Sequence, residues 1–327
     1  MPTHANKKEK YTYKRIEIER LLASNYPSIA VQSLNLIKKG IINTSVRVIA
    51  QDGISYLLRI YRSIGRTKKD ISQELEFCKQ LQKSGLPVAV VMPNTSDTQI
   101  TILRTSAGTY SAVLFSFLPG NHIKSSQHHL ISSVAHAHAK MHTIAFNSKT
   151  KRGAITIAPI MHWLEVEYKT AQKEIKNNHE LQQKCAQLYD ELISLYKRHT
   201  KDIKALPFGL CHLDYDSDNI LETKGKVTGI VDFDDMQNVP FSLDLAFSLW
   251  WWCFHHQKRD FVFSAYLKQY ESQRHLTKQE KSMILFFLRI RNFILLNLLF
   301  INLPKIANVS SVKKALRFDK WIISKSV

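Results

Sequence analysis

The sequence is short of paired cysteines, of glycine and of acidic residues, and each shortage excludes something. Four cysteines, Cys78, Cys185, Cys211 and Cys253, are scattered through 327 residues with no C-x-x-C pair. That spacing argues against a zinc ribbon or a disulfide framework and predicts a reducing, cytoplasmic setting. Ten glycines leave no G-x-x-x-x-G-K-[ST] loop, so a P-loop nucleotide site is excluded. Acids number 27 against 46 Lys and Arg, a formal charge of +19, which favours anionic partners such as nucleotides, phosphates, nucleic acid or acidic lipid. The polar Met1–Lys10 stretch has no apolar core and predicts no secretory signal. One run, Met283–Leu303, is apolar enough to suggest a membrane span, but it carries Arg289 and Arg291. Each would cost about 3 kcal/mol at a bilayer centre, so a buried core helix is the better expectation.

What is there reads as strands first and helices afterwards. Tyr13–Asn25 has helical spacing of Ile16, Ile18, Leu21 and Leu22. Ser33–Ile37, Ser45–Ala50 and Tyr56–Tyr61 are β-prone, with Asp52-Gly53 as a hairpin turn. Lys69–Lys83 returns to helical spacing and stops at Gly85. Gln99–Arg104 and Ala112–Phe117 continue the strands, and Pro119-Gly120 breaks them. Beyond it, Leu130–Ala145 and Trp163–Tyr196 are long stretches free of Gly and Pro. The pattern predicts an α+β fold of two lobes: a small antiparallel sheet lobe over residues 1–120 and a larger, mainly helical lobe over 121–327.

The chemistry concentrates between Phe208 and Leu245. His212, Asp214 and Asn219 fit H-x-D-x-x-x-x-N, the pattern of a kinase catalytic loop, and a predicted hairpin leads to Asp232-Phe233-Asp234-Asp235. Phosphoryl transfer needs a carboxylate to take the proton of the attacking hydroxyl and Mg²⁺ to neutralise the phosphate oxygens. Asp214 suits the first task. The Asn219 carbonyl and the Asp232 carboxylate suit the second, because the two ends of a hairpin are neighbours.

Other readings fit less well. Asp214, Asp216 and Asp218 alternate like an EF-hand, but Asn219 and Gly225 stand where that loop needs Gly and Glu. His138 and His142 have zincin spacing, but Ala139 replaces the required Glu, which leaves them as core or surface residues. Trp250-Trp251-Trp252 is read as helix packing rather than as an aromatic cage for a quaternary amine.

Gly209-Leu210-Cys211-His212, Asn219-Ile220-Leu221 and Gly229-Ile230-Val231-Asp232-Phe233-Asp234-Asp235, in this order, resemble the aminoglycoside phosphotransferase and choline kinase superfamily. The resemblance implies a protein-kinase-like fold and ATP with Mg²⁺ as cofactors. It extends to Gly40–Ser45, similar to a nucleotide-covering turn, which makes Thr44 and Ser45 candidate nucleotide contacts. It implies that Arg59 contacts ATP phosphates and that Glu74 pairs with it, against the plainer reading of a surface ion pair. Val113–Gly120 looks like the interlobe hinge, with the backbone around Phe115 and Phe117 meeting adenine. Met141-His142 matches a structural helix motif, and Asp244 would brace the catalytic loop. Leu213 stands where the family usually has Gly, and Asp216 where His is common.

The expected function is transfer of the γ-phosphoryl group to a hydroxyl of a small molecule, with an amino alcohol or homoserine-like compound as the candidate acceptor. A protein kinase is the nearest rival, but no Ala-Pro-Glu segment follows Asp235 and little room is left for an activation loop. Aminoglycoside or choline kinases are the other small-molecule options. After Asp235 the chain has fourteen Lys and Arg against five acids, which disfavours polycationic aminoglycosides. A basic nucleic-acid-binding scaffold is the alternative from outside enzymes, and the complete Asp214, Asn219 and Asp232 set argues against it.

Overall fold

The computed structural model describes residues 14–37, 43–62, 66–106, 108–124, 127–148, 158–175, 178–306 and 309–325. The chain opens with α1 (Arg15–Asn25), which buries Ile18, Leu21 and Leu22 and leaves Ile16 exposed. It packs against a five-stranded antiparallel sheet of β1 (Val31–Ile37), β2 (Thr44–Ala50), β3 (Ser55–Ile60), β4 (Thr101–Thr105) and β5 (Gly108–Ser116), in the order β1-β2-β3-β5-β4. The β2–β3 turn is the expected Asp52-Gly53, with Gly53 at φ +83° and the Asp52 side chain accepting from the Ile54 N–H at 2.9 Å. Helix α2 (Lys68–Lys83) starts at Thr67, whose hydroxyl and Asp70 form a capping box. Its inward face carries Ile71, Leu75, Cys78 and Leu81, together with one acid, Glu74.

The passage out of this sheet runs through Pro119-Gly120 into the short β6 (Asn121–His122). Gly120 sits at φ +132°, and a Cβ there would lie 2.7 Å from Thr228 Oγ1 and 2.9 Å from the Glu222 carbonyl. Any larger residue would push this segment off the hairpin formed by β8 (Ile220–Thr223) and β9 (Lys226–Ile230). Between β6 and that hairpin lie α3 (Ile131–Asn147), α4 (Ala158–Glu174), α5 (His179–Ala205) and β7 (Phe208–Cys211). The Trp163–Tyr196 stretch is therefore two helices and not one. The chain turns at Ile175, and Asn178 caps α5 by accepting from the Leu181 N–H at 3.1 Å. Asn is a favoured cap, and neither Gly nor Pro is needed to break the helix there. Tyr168 and Tyr189 stack across the two helices with ring centroids 3.9 Å apart.

After β9 come β10 (Gln237–Pro240), paired with β7, and then α6 (Phe241–His255), α7 (Arg259–Glu271), α8 (Lys278–Ile306) and α9 (Val309–Ile323). The apolar run is α8. It is long and apolar enough to cross a membrane, yet it is packed by α4, α5, α6 and α9. Trp250 and Trp252 are buried in α6, as expected of packing residues. The four cysteines are all free and buried. Arg289 is tolerated inside the core because it is saturated: it reaches Glu191 at 2.6 and 2.9 Å and Asp319 at 3.1 and 3.3 Å.

Removing one partner of a buried pair leaves an uncompensated charge. Arg289→Met is expected to cost about 3 kcal/mol of stability by stranding Asp319. Chemical denaturation checks it, and an unchanged midpoint would show that the pair is dispensable.

Candidate active site

The site is assembled around one buried carboxylate. Asp244, in the first turn of α6, is fully buried, and its Oδ1 accepts from the Leu213 N–H at 2.7 Å. Oδ2 accepts from the His212 N–H at 3.3 Å and faces His142 Nε2 at 2.8 Å and His138 Nε2 at 3.1 Å. The far ring nitrogens of His138 and His142 face the Tyr266 and Tyr270 hydroxyls at 2.8 and 2.6 Å. Each neutral imidazole thus donates from Nε2 to Asp244 and accepts at Nδ1 from a tyrosine. The three side chains cluster closely enough to suggest a metal site. Their hydrogen bonds already occupy the ligand atoms, so the cluster is a structural brace. Burial raises the Asp244 carboxyl, but the two histidine hydrogen bonds outweigh that and hold it well below the usual carboxylate range.

The brace fixes the loop after β7. Leu213 takes φ +62°, a left-handed conformation that a non-glycine residue adopts only when its surroundings hold it there. His212 accepts the Asp214 N–H at Nδ1, 3.3 Å away, and donates from Nε2 to the Val231 carbonyl at 3.0 Å. Asn219 donates from Nδ2 to the Asp214 carboxylate at 2.8 Å and to its carbonyl at 2.9 Å. Asn219 immediately precedes β8 and Asp232 lies just beyond β9. With Ile220 paired to Ile230 and the Val231 N–H bonded to the Asn219 carbonyl, the two residues are held side by side. The hairpin tip is a two-residue turn, Lys224-Gly225, both at positive φ. The structure therefore brings Asp214, Asn219 and Asp232 together. Burial, with Asp235 and Asp232 nearby, raises the Asp214 carboxyl despite His212.

The other side of the site differs from expectation. Arg59 on β3 does not pair with Glu74. It reaches Asp232 at 2.5 Å and Asp234 at 3.6 Å. Glu74 is bound instead by Arg66 at 2.5 Å and by the Tyr61 hydroxyl at 3.3 Å. Arg66 also holds Asp234 at 2.7 Å, and the Asn43 amide donates to the same carboxylate. The reason is reach: Arg66 lies one residue before the α2 cap, beside Glu74, whereas Arg59 faces the acids that follow β9. Burial works to raise the Asp232 carboxyl, but Arg59 overrides it and holds it low. Glu74 stays raised because burial outweighs both arginines. Arg66, Asn43 and Asp234 were not singled out from sequence. Three arginines in eight residues, Arg59, Arg62 and Arg66, were the available signal.

Ser45 is the register partner of Arg59, and Thr44 of Ile60, which places both at the open end of β2. Gly40, Ile41 and Ile42 of the expected covering turn lie outside the described residues. Phe115 is buried against Val113 and Leu75. Phe117 lies at the sheet end beneath the Arg47 guanidinium, 4.5 Å from its ring centre.

Residues 33–278 match the phosphotransferase enzyme family. The chain belongs to that family. Among curated proteins it is similar to homoserine kinases of Sinorhizobium medicae (strain WSM419) and Rhizobium meliloti (strain 1021). Each is 26% identical over 273 residues, 81% of this chain and 77% of the relative. Among solved structures it is similar to an amicoumacin kinase in complex with AMP-PNP, Ca²⁺ and Ami, at TM-score 0.71 and 20% identity, covering 96% of this chain and 94% of the other. A microcompartment-associated aminopropanol kinase follows at TM-score 0.64 and 16% identity, with 89% of each chain covered. A choline kinase from Cryptosporidium parvum Iowa II gives TM-score 0.59 and 14% identity over 90% of this chain and 88% of the other. The family is thus one of phosphotransferases, and the fold is shared with these kinases.

The brace makes stability depend on pH. Burial lowers the pKa of His138, and burial with the neighbouring His138 lowers that of His142 to about 3, against 6.5 for a free imidazole. At these two histidines the unfolded chain therefore binds protons that the folded one refuses, so their contribution to stability falls as pH drops below about 6.5. At about 1.4 kcal/mol per proton per pH unit, the His142 share of acidification from pH 7 to 5.5 is a loss of about 1 kcal/mol, while the raised carboxyls of Glu167 and Asp216 act in the opposite direction. His142→Gln should remove the His142 share. Urea titrations of the wild type and His142→Gln at the two pH values check it, and the same pH dependence in both would refute the neutral assignment.

Proposed function

We propose that this protein transfers the γ-phosphoryl group of ATP to the hydroxyl of a small amino alcohol or hydroxy amino acid, with Asp214 as the general base. The observation that carries the proposal is the convergence of Asp214, Asn219 and Asp232 on a loop locked by Asp244. In the step, the acceptor hydroxyl gives its proton to Asp214 while its oxygen forms a bond to the γ-phosphorus. The bond from that phosphorus to the bridging oxygen breaks, and the electron pair leaves with ADP. The raised Asp214 carboxyl supports a role in receiving a proton. Asn219 holds that carboxylate by its Nδ2–H, which orients it toward an incoming hydroxyl.

The residues fit a divalent metal. With the Asn219 Nδ2 committed to Asp214, its Oδ1 is the end left for a cation, and the Asp232 carboxylate is kept ionised beside Arg59. Both are hard oxygen donors of the kind Mg²⁺ prefers. When bound, the metal supplies charge neutralisation at the phosphate oxygens. Arg59 then exchanges Asp232 for the phosphates, with Thr44 and Ser45 beside them and the segment around Phe115 and Phe117 next to the base. Glu74 acts through Arg66 and Asp234, fastening α2 to the segment that carries Asp232. The free, buried cysteines support a cytoplasmic setting.

Asp214→Asn is expected to lower kcat by about 10³-fold while ATP affinity changes little. A coupled assay for ADP with a panel of amino alcohols and hydroxy amino acids tests this. Turnover at the wild-type rate in the variant would overturn the assignment. Asp232→Asn is expected to raise the Mg²⁺ concentration needed for half-maximal rate at least tenfold. An unchanged Mg²⁺ titration would remove it from the metal site.

A further inference from the structure

Two arginines lie two residues apart on α8 and meet opposite fates. Arg289 is saturated by Glu191 and Asp319. Arg291 is also buried, at 9% exposure, yet its Nη1 has no hydrogen-bond partner and no acid contacts it within ion-pair distance among the described residues. Its guanidinium lies over the Trp250 ring, 4.3 Å from the centre, and 5.8 Å from that of Phe247. The charges that act on it are Asp214, Asp216 and Glu167. Glu167, on α4, is 1% exposed, and neither of its carboxylate oxygens has a hydrogen-bond partner among the described residues. A buried cation and a buried anion that electrostatically feel each other without touching are expensive to maintain. An interior built only for stability would close them into a pair, as it does at Arg289.

Their position relative to the catalytic loop is set by aromatic packing. Trp163 on α4 packs on Phe247 of α6, with centroids 5.4 Å apart. Trp251, next to Trp250, donates from Nε1 to Ser217 Oγ at 3.0 Å, inside the loop between Asp214 and Asn219. Helices α4, α6 and α8 thus hold Arg291 and Glu167 against the loop that bears Asp214 and Asp216.

We propose that Arg291, Glu167 and Asp216 form the acceptor subsite, Arg291 taking a carboxylate and the two acids taking an ammonium of one small zwitterionic alcohol. This rests on the kinase reading above, which supplies the role of Asp214 toward the hydroxyl. A planar guanidinium binds a carboxylate through paired N–H donors, and its stacking on Trp250 leaves its edge for that contact. Burial pushes the Glu167 carboxyl up to about 7, and its two oxygens have no hydrogen-bond partner among the described residues. An ammonium bound there restores its charge. The local acids also offset the basic charge of the chain after Asp235, so the region is not uniformly hostile to a singly charged amine.

Three four-atom-chain acceptors test it: L-homoserine, 3-aminopropan-1-ol, which lacks its carboxylate, and 4-hydroxybutanoate, which lacks its ammonium. Calorimetric binding to the full chain is expected to favour homoserine over either by at least about 30-fold. Arg291→Met should weaken homoserine by a similar factor and leave 3-aminopropan-1-ol within about threefold. Glu167→Gln should do the reverse, sparing 4-hydroxybutanoate. Arg291→Lys, which keeps the charge, should recover part of the homoserine affinity, and melting curves confirm that each variant is folded. Equal binding of the three compounds, no binding of any, or an equal loss of all three in Arg291→Met would overturn the subsite. ADP release with each compound separates the two readings. Homoserine binding with this selectivity but no turnover supports the subsite and counts against the kinase reading. Efficient turnover of an alcohol lacking either charge overturns the subsite and leaves the kinase reading in place.

Discussion

The Asp244 carboxylate is the constraint on which the active site depends. It sits where water cannot reach and remains ionised because four donors converge on it: two backbone N–H groups and two imidazoles. Those donors come from β7's exit and from α3, while the carboxylate belongs to α6. One side chain therefore fixes three separate parts of the helical lobe relative to one another. The tyrosines of α7 finish the arrangement by keeping both imidazoles in a single tautomer. Nothing in this centre touches substrate in the proposed mechanism. It sets the loop backbone so that Asp214 and Asn219 need no further adjustment.

The local parts of the site were legible in the sequence. Asp214 and Asn219 are five residues apart in one loop, and a hairpin carries the chain from Asn219 to Asp232, so spacing alone brings them together. The kinase-like sheet lobe was legible for the same reason, since its strands are joined by short turns such as Asp52-Gly53. The long-range pairings were not. Arg59 and Glu74 were matched by likeness to a family, and the structure matches Glu74 to Arg66 instead. A sequence shows that three arginines are available but not which one the fold aims at α2. The break between α4 and α5 carries no Gly or Pro signal, because Asn178 starts the second helix as its cap. Arg291 was noticed only as an argument against a membrane span. Its relation to Glu167, 124 residues earlier, appears only once α4 and α8 are packed together.

The two lobes are joined by charge as much as by chain. Arg59 and Arg66, from the sheet side, hold Asp232 and Asp234, from the helical side. The same acids are the proposed metal and phosphate neighbourhood. Arginine is well suited to this double use: it keeps its charge at any physiological pH, and it can exchange one oxyanion for another without changing protonation state. Movement of Arg59 from carboxylate to phosphate would couple nucleotide binding to the relation between the lobes.

The left-handed backbone at Leu213 has a consequence for how the protein comes to be active. A leucine at positive φ costs of order 1–2 kcal/mol, and the hydrogen bond that compensates comes from Asp244, 31 residues later. A chain ending at the β8–β9 hairpin lacks that compensation, and nothing then holds Leu213 in this conformation. The placement of Asp214 on which the proposed mechanism rests is therefore set only once α6 has docked.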